Sequence, residues 1–342
     1  MPDEGFTEKS VSLPYWKGEQ TVHLSTISPE SNTESPILIT DTFGRSFNYL
    51  RIAVNEKCNL RCIYCMPENG IQFKQKEDLL SEDEIKRIVR ILKGHGLEKV
   101  RLTGGEPLLR PDLTQIIRGI RDQSISSVHM TTNGIRLRNK LDELVDAGLT
   151  GINFSMDSLD RSSYAQVSRR DRSKEVIENL HLALEKPDLN IKVNVVLMRD
   201  VNDTEIPQFL MLAKEHGITV RFIELMPFDD FQIWKTGKFM SAEFILERIH
   251  EVIPDFSGEY GSSTEQYFDK PKDYKGAVAI IPAYTRSLCG QCNRIRLTAD
   301  GCIRNCLYSN REFNLLRTMR QGCKDKEIID IIQSAMRNKL QD

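Results

Sequence analysis

YLRIAV, residues 49–54, decides the fold: Leu50, Ile52 and Val54 fall on one face of an extended chain, and Arg51 and Ala53 on the other, because strand side chains alternate with period two. The same division returns along the chain. EKVRLTG (98–104) sets Val100 and Leu102 against Arg101 and Thr103, and SSVHMTTN (126–133) sets Val128, Met130 and Thr132 against Thr131 and Asn133. GINFSM (151–156) sets Ile152, Phe154 and Met156 against Asn153, Ser155 and the following Asp157; NIKVNVVLM (190–198) sets Ile191, Val193 and Val195 against Lys192 and Asn194. ITVRFIEL (218–225) closes the series.

Amphipathic runs separate these strands: SEDEIKRIVRILKG, PDLTQIIRGIRD, RLRNKLDELVDAG, RSKEVIENLHLALEK and DTEIPQFLMLAKEHG. Six strands with five connecting helices imply parallel βαβ units in an α/β fold. A closed, side-chain-filled barrel would place branched aliphatics inside. A polar inner face instead predicts an incomplete (β/α)6 TIM-type barrel whose lumen holds a large polar ligand. An antiparallel sheet with one wet face would give the same alternation, but the intervening helices argue against it.

The sequence divides into an irregular extension, 1–40, with scattered Ser, Pro and Glu; the partial barrel, 41–228; and a small C-terminal α+β module, 229–342. That module holds the helix candidate SAEFILERIHEVI, the strand-like AVAIIPAY and NRIRLTA, and a final helix DKEIIDIIQSAMRNKL. No apolar stretch approaches the roughly 20 residues of a membrane helix, and MPDEGFTEKS has no basic segment before an apolar core, so a cytoplasmic protein is expected. A net charge of −2 gives no global attraction to nucleic acid or membrane, and an anionic ligand needs a local set of cations.

Eight cysteines fall in two groups, at 58, 62 and 65 and from 289 onward; such clusters in a cytosolic chain suggest metal rather than disulfides. Cys58, Cys62 and Cys65 form C-x3-C-x2-C just after the first strand, where a barrel presents its reactive end. Three thiolates hold three irons of a cubane and leave the fourth iron open to a ligand. Zinc sites usually show paired C-x2-C groups with a fourth ligand, and no His lies nearby. Cys289, Cys292 and Cys306 give C-x2-C-x13-C, again three thiolates; Cys302 could replace Cys306, and a zinc site using all four, or Cys323, fits the spacing too.

The first motif, with Tyr64 before its last cysteine, resembles the defining motif of the radical S-adenosylmethionine superfamily, and TGGEP (103–107) resembles its Gly-rich segment. The second spacing with the intervening NRIRL, together with DTFGR, RLTGGEPLLR, TTNG, NFSMDSLD, KVNVV and RFIELMP in order, resembles the GTP 3′,8-cyclase family, also called molybdenum cofactor biosynthesis protein A. The match covers roughly residues 41–338.

This resemblance implies two 4Fe–4S clusters, on Cys58, Cys62 and Cys65 and on Cys289, Cys292 and Cys306. It implies S-adenosylmethionine held near Tyr64, Gly105, Ser155 and Met226. It also implies GTP held by Arg51, Arg101, Thr131, Lys192, Arg294 and Arg296, the guanine on the second cluster's open iron. Arg51, Arg101 and Lys192 already share the polar face by register, and guanidinium forks match phosphate oxygens. The implied reaction abstracts hydrogen from ribose C3′, joins C3′ to C8 of the same guanine and yields 3′,8-cyclo-7,8-dihydro-GTP, which opens molybdenum cofactor biosynthesis. Arg221 matches a family arginine near the substrate and is the candidate catalytic residue, although its strand parity differs from that of Met226.

Family chains typically close with a Gly-Gly tail, whereas this sequence ends NKLQD, which leaves turnover by the sequence as given to experiment. Three other readings are a radical enzyme maturing a peptide, a non-catalytic zinc or iron–sulfur binding protein, and a degenerate relative that binds GTP without turnover. Cyclic pyranopterin monophosphate synthase is the expected pathway partner and a homodimer the expected assembly; the sequence does not name the electron donor.

Overall fold

The computed structural model describes residues 37–227, 233–258, 267–285, 289–309 and 312–341. The extension read as 1–40 lies outside these except for its last four residues, as does the boundary placed between 228 and 229. The six anticipated strands are β1 (Tyr49–Ala53), β2 (Lys99–Thr103), β3 (Ser127–Thr132), β4 (Gly151–Ser155), β5 (Asn190–Leu197) and β6 (Thr219–Glu224), each parallel to the next. Their outward side chains pack beneath helices: Leu50, Ile52, Val100, Leu102, Val128, Met130, Ile152, Phe154, Val193 and Phe222 are all fully buried. Complete burial of such side chains contributes about 1.5–3 kcal/mol each.

The helices are α1 (Glu82–Lys93), α2 (Leu113–Arg121), α3 (Leu141–Asp146), α4 (Arg161–Ser168), α5 (Ser173–Leu184) and α6 (Ile206–Glu215). Ser81 and Glu84 form a reciprocal capping box at the start of α1, and Arg90 and Lys93 occupy its last turn, both favourable to the helix dipole. Two expectations are corrected. The run 136–148 gives only the short α3, and two helices rather than one join β4 to β5. RSSYAQVS, the extra α4, buries little beyond Tyr164 and Val167, so its apolar periodicity is faint.

Beyond the barrel come α7 (Ala242–His250), β7 (Tyr267–Asp269), β8 (Ala277–Ile281), β9 (Arg294–Leu297), β10 (Cys302–Arg304), β11 (Glu312–Asn314), α8 (Leu315–Arg320) and α9 (Asp325–Arg337). These strands extend the barrel sheet at both edges, giving the order β11-β10-β9-β1-β2-β3-β4-β5-β6-β8-β7. β9 runs parallel to β1, and β8 parallel to β6. The second cysteine group is thereby attached to the strand that precedes the first. Among the described residues no helix is long and apolar enough to cross a membrane.

Candidate active site

The first cysteine triad sits on a loop braced from three sides. Cys65 N and Met66 N both donate to Cys62 O, and Ile63 N donates to Val167 O in the last turn of α4. The Tyr64 hydroxyl donates to Asp157 Oδ2 at 2.6 Å. Below it, Gly105 N donates to Asn55 O and Glu106 N to Lys57 O. A Cβ on Gly105 would stand 2.2 Å from Lys57 O, and one on Gly104, at φ 133°, 2.3 Å from Asn55 O, so only glycine permits this approach. The buried Glu106 carboxylate accepts from Thr132 Oγ1, Asn133 N and Leu108 N.

Cys58, Cys62 and Cys65 line a cavity of about 290 Å³ with Tyr64, Gly105, Ser155 and Asp157. Burial pushes Cys62 well up, and Asp157, Cys65 and Cys58 add to it. Deprotonating all three thiols beside Asp157 would gather repelling negative charge that a bound cation must offset, and an all-sulfur donor set suits iron. Among the described residues no three His, Cys, Asp or Glu side chains converge on a single-ion site; the thiols line the cavity wall instead.

A larger cavity of about 750 Å³ carries the second triad, Cys289, Cys292 and Cys306, together with Arg51, Arg101, Thr131, Arg221, Met226, Arg294 and Arg296. Thr103, Thr131, Asn194 and Ile223 line both cavities, so the two triads face one lumen. Cys302 and Cys323 line neither. Burial, Asp300 and Glu312 push Cys302 up to about 11. Burial works to raise Cys292, but Arg294 and Lys339 outweigh it and hold the thiol down to about 6; Arg294 Nε lies 3.4 Å from its sulfur. Thiolate character there is what an iron ligand needs.

Register assembles the cations. Arg51 stands opposite Arg101 on β2 and Arg296 on β9, and the Tyr49 ring lies 5.2 Å from the Arg51 guanidinium and 5.5 Å from that of Arg101, within cation–π reach. Arg221 is buried and donates to Asn153 Oδ1 at 2.9 Å. Its parity does not separate it from Met226, because β6 ends at Glu224 and both line the larger cavity. Lys192 lines neither cavity; it shares a sheet row with Asn153 and Thr219, and its charge helps hold down Lys99 and His129.

Sequence reading missed several contributors. Arg45 donates to Cys289 O at 2.7 Å and to Leu340 O at 2.7 Å. Buried Lys339 donates to Asn305 O, and the Tyr308 hydroxyl donates to Ala283 O at 2.5 Å. Arg45 lies in the quoted DTFGR, which was a signal; Lys339 and Tyr308 carried none.

Comparison with known proteins fits this geometry. Residues 52–213 match the Radical SAM superfamily, and residues 218–342 match Molybdenum Cofactor Synthesis C. The GTP 3′,8-cyclase of Chlorobaculum tepidum is 41% identical, over 90% of this chain and 92% of the relative. The chain belongs to the GTP 3′,8-cyclase family. As a member of that family it is a radical S-adenosylmethionine enzyme, and the superfamily implies a 4Fe–4S cluster. Molybdenum cofactor biosynthesis protein 1 of Dictyostelium discoideum is 38% identical over 98% of this chain, which spans about half (53%) of that relative's length. Among solved structures, Streptococcus suis SuiB bound to S-adenosylmethionine superposes with a TM-score of 0.62 at 16% identity, covering 88% of this chain and 69% of that one; this likeness is one of fold.

Proposed function

We propose that this GTP 3′,8-cyclase family member converts GTP to 3′,8-cyclo-7,8-dihydro-GTP in the first step of molybdenum cofactor biosynthesis. The observation that carries the reading is the row Arg296, Arg51, Arg101 lying across one lumen between two cysteine triads. Cys58, Cys62 and Cys65 would hold the first 4Fe–4S cluster, and Cys289, Cys292 and Cys306 a second. When bound and reduced, the first cluster with S-adenosylmethionine supplies a 5′-deoxyadenosyl radical.

The chain's own side chains do the positioning. Tyr64, Gly105, Ser155 and Met226 frame the S-adenosylmethionine end. Arg51, Arg101, Arg294 and Arg296 bring a converging positive field to the triphosphate, Lys192 adds its charge from outside the cavity lining, and Thr131, common to both cavities, stands between the two ligands. Arg221, fixed by Asn153, holds a guanidinium toward the substrate volume. Immobilising both ligands in one enclosed space makes the hydrogen transfer effectively unimolecular. The product passes to cyclic pyranopterin monophosphate synthase, and the enzyme works in the cytoplasm as a homodimer.

The test is anaerobic reconstitution with iron and sulfide, then dithionite, S-adenosylmethionine and GTP. GTP-dependent release of 5′-deoxyadenosine with a cyclised nucleotide is expected. 5′-Deoxyadenosine without loss of GTP would transfer the assignment to peptide maturation, and GTP binding without 5′-deoxyadenosine would mark a relative that has lost turnover.

A further inference from the structure

Arg169 follows α4 with φ 54° and ψ 26°, a left-handed conformation that normally selects glycine. The turn itself does not demand arginine. The Ser168 hydroxyl already donates to Arg170 O, and Arg170 N returns a bond to Ser168 Oγ, so a glycine at 169 would complete the same turn with less strain. A non-glycine residue held in this region points to a use for its side chain.

That side chain reaches the first cysteine loop. Arg169 Nη1 donates to Arg61 O and to Met66 O, both at 3.1 Å, the carbonyls that immediately flank Cys62-Ile63-Tyr64-Cys65. The backbone beside it adds Arg61 N to Ser168 O at 3.1 Å and Ile63 N to Val167 O at 2.9 Å. We infer that Arg169 is a positioning residue for the first metal-binding loop, its guanidinium clasping both ends of the Cys62–Cys65 turn so that the thiols are set before metal arrives. The loop's cargo rests on the function proposed above; the clasp itself rests on the hydrogen bonds.

Arg169→Gly separates the two roles, since it frees the backbone while deleting the guanidinium. In the metal-free full chain, hydrogen exchange at the amides of residues 62–66 is expected to rise about tenfold, the order of two lost hydrogen bonds, while the melting temperature stays level or rises. In the reconstituted protein, iron is expected to pass to a chelator faster than from wild type. Arg169→Met, which keeps a non-glycine residue in the turn but removes the Nη1 donor to both carbonyls, should raise exchange as Arg169→Gly does. Unchanged exchange in Arg169→Gly, or wild-type exchange in Arg169→Met, would overturn the clasp. A wild-type chain that binds no iron would instead sink the functional reading and leave exchange in the metal-free chain to decide the clasp.

Discussion

Tyr64 and Asp157 are joined by a 2.6 Å hydrogen bond that ties the first cysteine loop to the end of β4. The other Asp157 oxygen accepts from Val196 N at 2.8 Å, and burial pushes the carboxyl up to about 6 although both hydrogen bonds oppose it. Tyr64→Phe would leave this buried carboxylate short of a donor, at a cost of about 1–3 kcal/mol. Urea denaturation of the metal-free chain at pH 8 should show that loss. A midpoint equal to wild type would mean that the bond holds nothing in place.

Arg296 is the costliest member of the guanidinium row. Burial, then the charges of Arg51 and Arg294, hold it down to about 9. Arg296→Met should therefore stabilise the ligand-free fold, by about 1–2 kcal/mol, while weakening GTP binding by roughly tenfold to a hundredfold. Thermal denaturation without nucleotide and calorimetric titration with GTP would read the two effects separately. A variant that loses stability and keeps its GTP affinity would contradict the assignment.

His129 gives a pH dependence. Burial, then Lys99, Arg101, Lys192 and Arg221, hold the ring down to about 3. The unfolded chain takes up this proton below about 6.5, the folded chain not until about 3, so the group's stabilisation is complete above pH 6.5 and is lost as pH falls toward 3. The slope is at most about 1.4 kcal/mol per pH unit. Urea midpoints at pH 5, 6 and 7 should fall more steeply for wild type than for His129→Asn, and identical slopes would reject the account.

Glu224 ends β6 as a fully buried carboxylate. It accepts from Ala242 N at the start of α7, and from Tyr284 N and Thr285 N behind the cavity wall. Glutamine would aim an amide N–H at one of these donors. Glu224→Gln is expected to cost about 1–3 kcal/mol and to loosen the wall through Ala283 and Tyr308 toward Cys306, seen as faster iron loss from the second triad than from the first. Equal loss from both triads would limit Glu224 to general stability.

The barrel was legible because period-two alternation survives wherever a strand buries one face, as Leu50, Ile52 and Val100 do. The first cysteine triad was legible from spacing and the Arg51 and Arg101 row from parity, whereas spacing left Cys302 and Cys323 open beside Cys289, Cys292 and Cys306 and only the family resemblance chose among them. β10 and β11, three residues each, were too short to carry a period. Contacts across long separations left no local trace either: Arg45 and Cys289 are 244 positions apart, and Arg169 reads in sequence as one more surface cation until its backbone is seen.

The parallel pairing of β9 with β1 also has a meaning in time. Residue 294 leaves the ribosome roughly 240 residues after the strand it covers, or about 12–50 s at usual elongation rates. Throughout synthesis of the helices and the remaining barrel, the outer edge of β1 stands open to pairing with another nascent chain. Yield in the cell should thus depend on how fast the last quarter of the chain is translated, and slowing codons placed before Arg294 would be expected to favour aggregation over assembly.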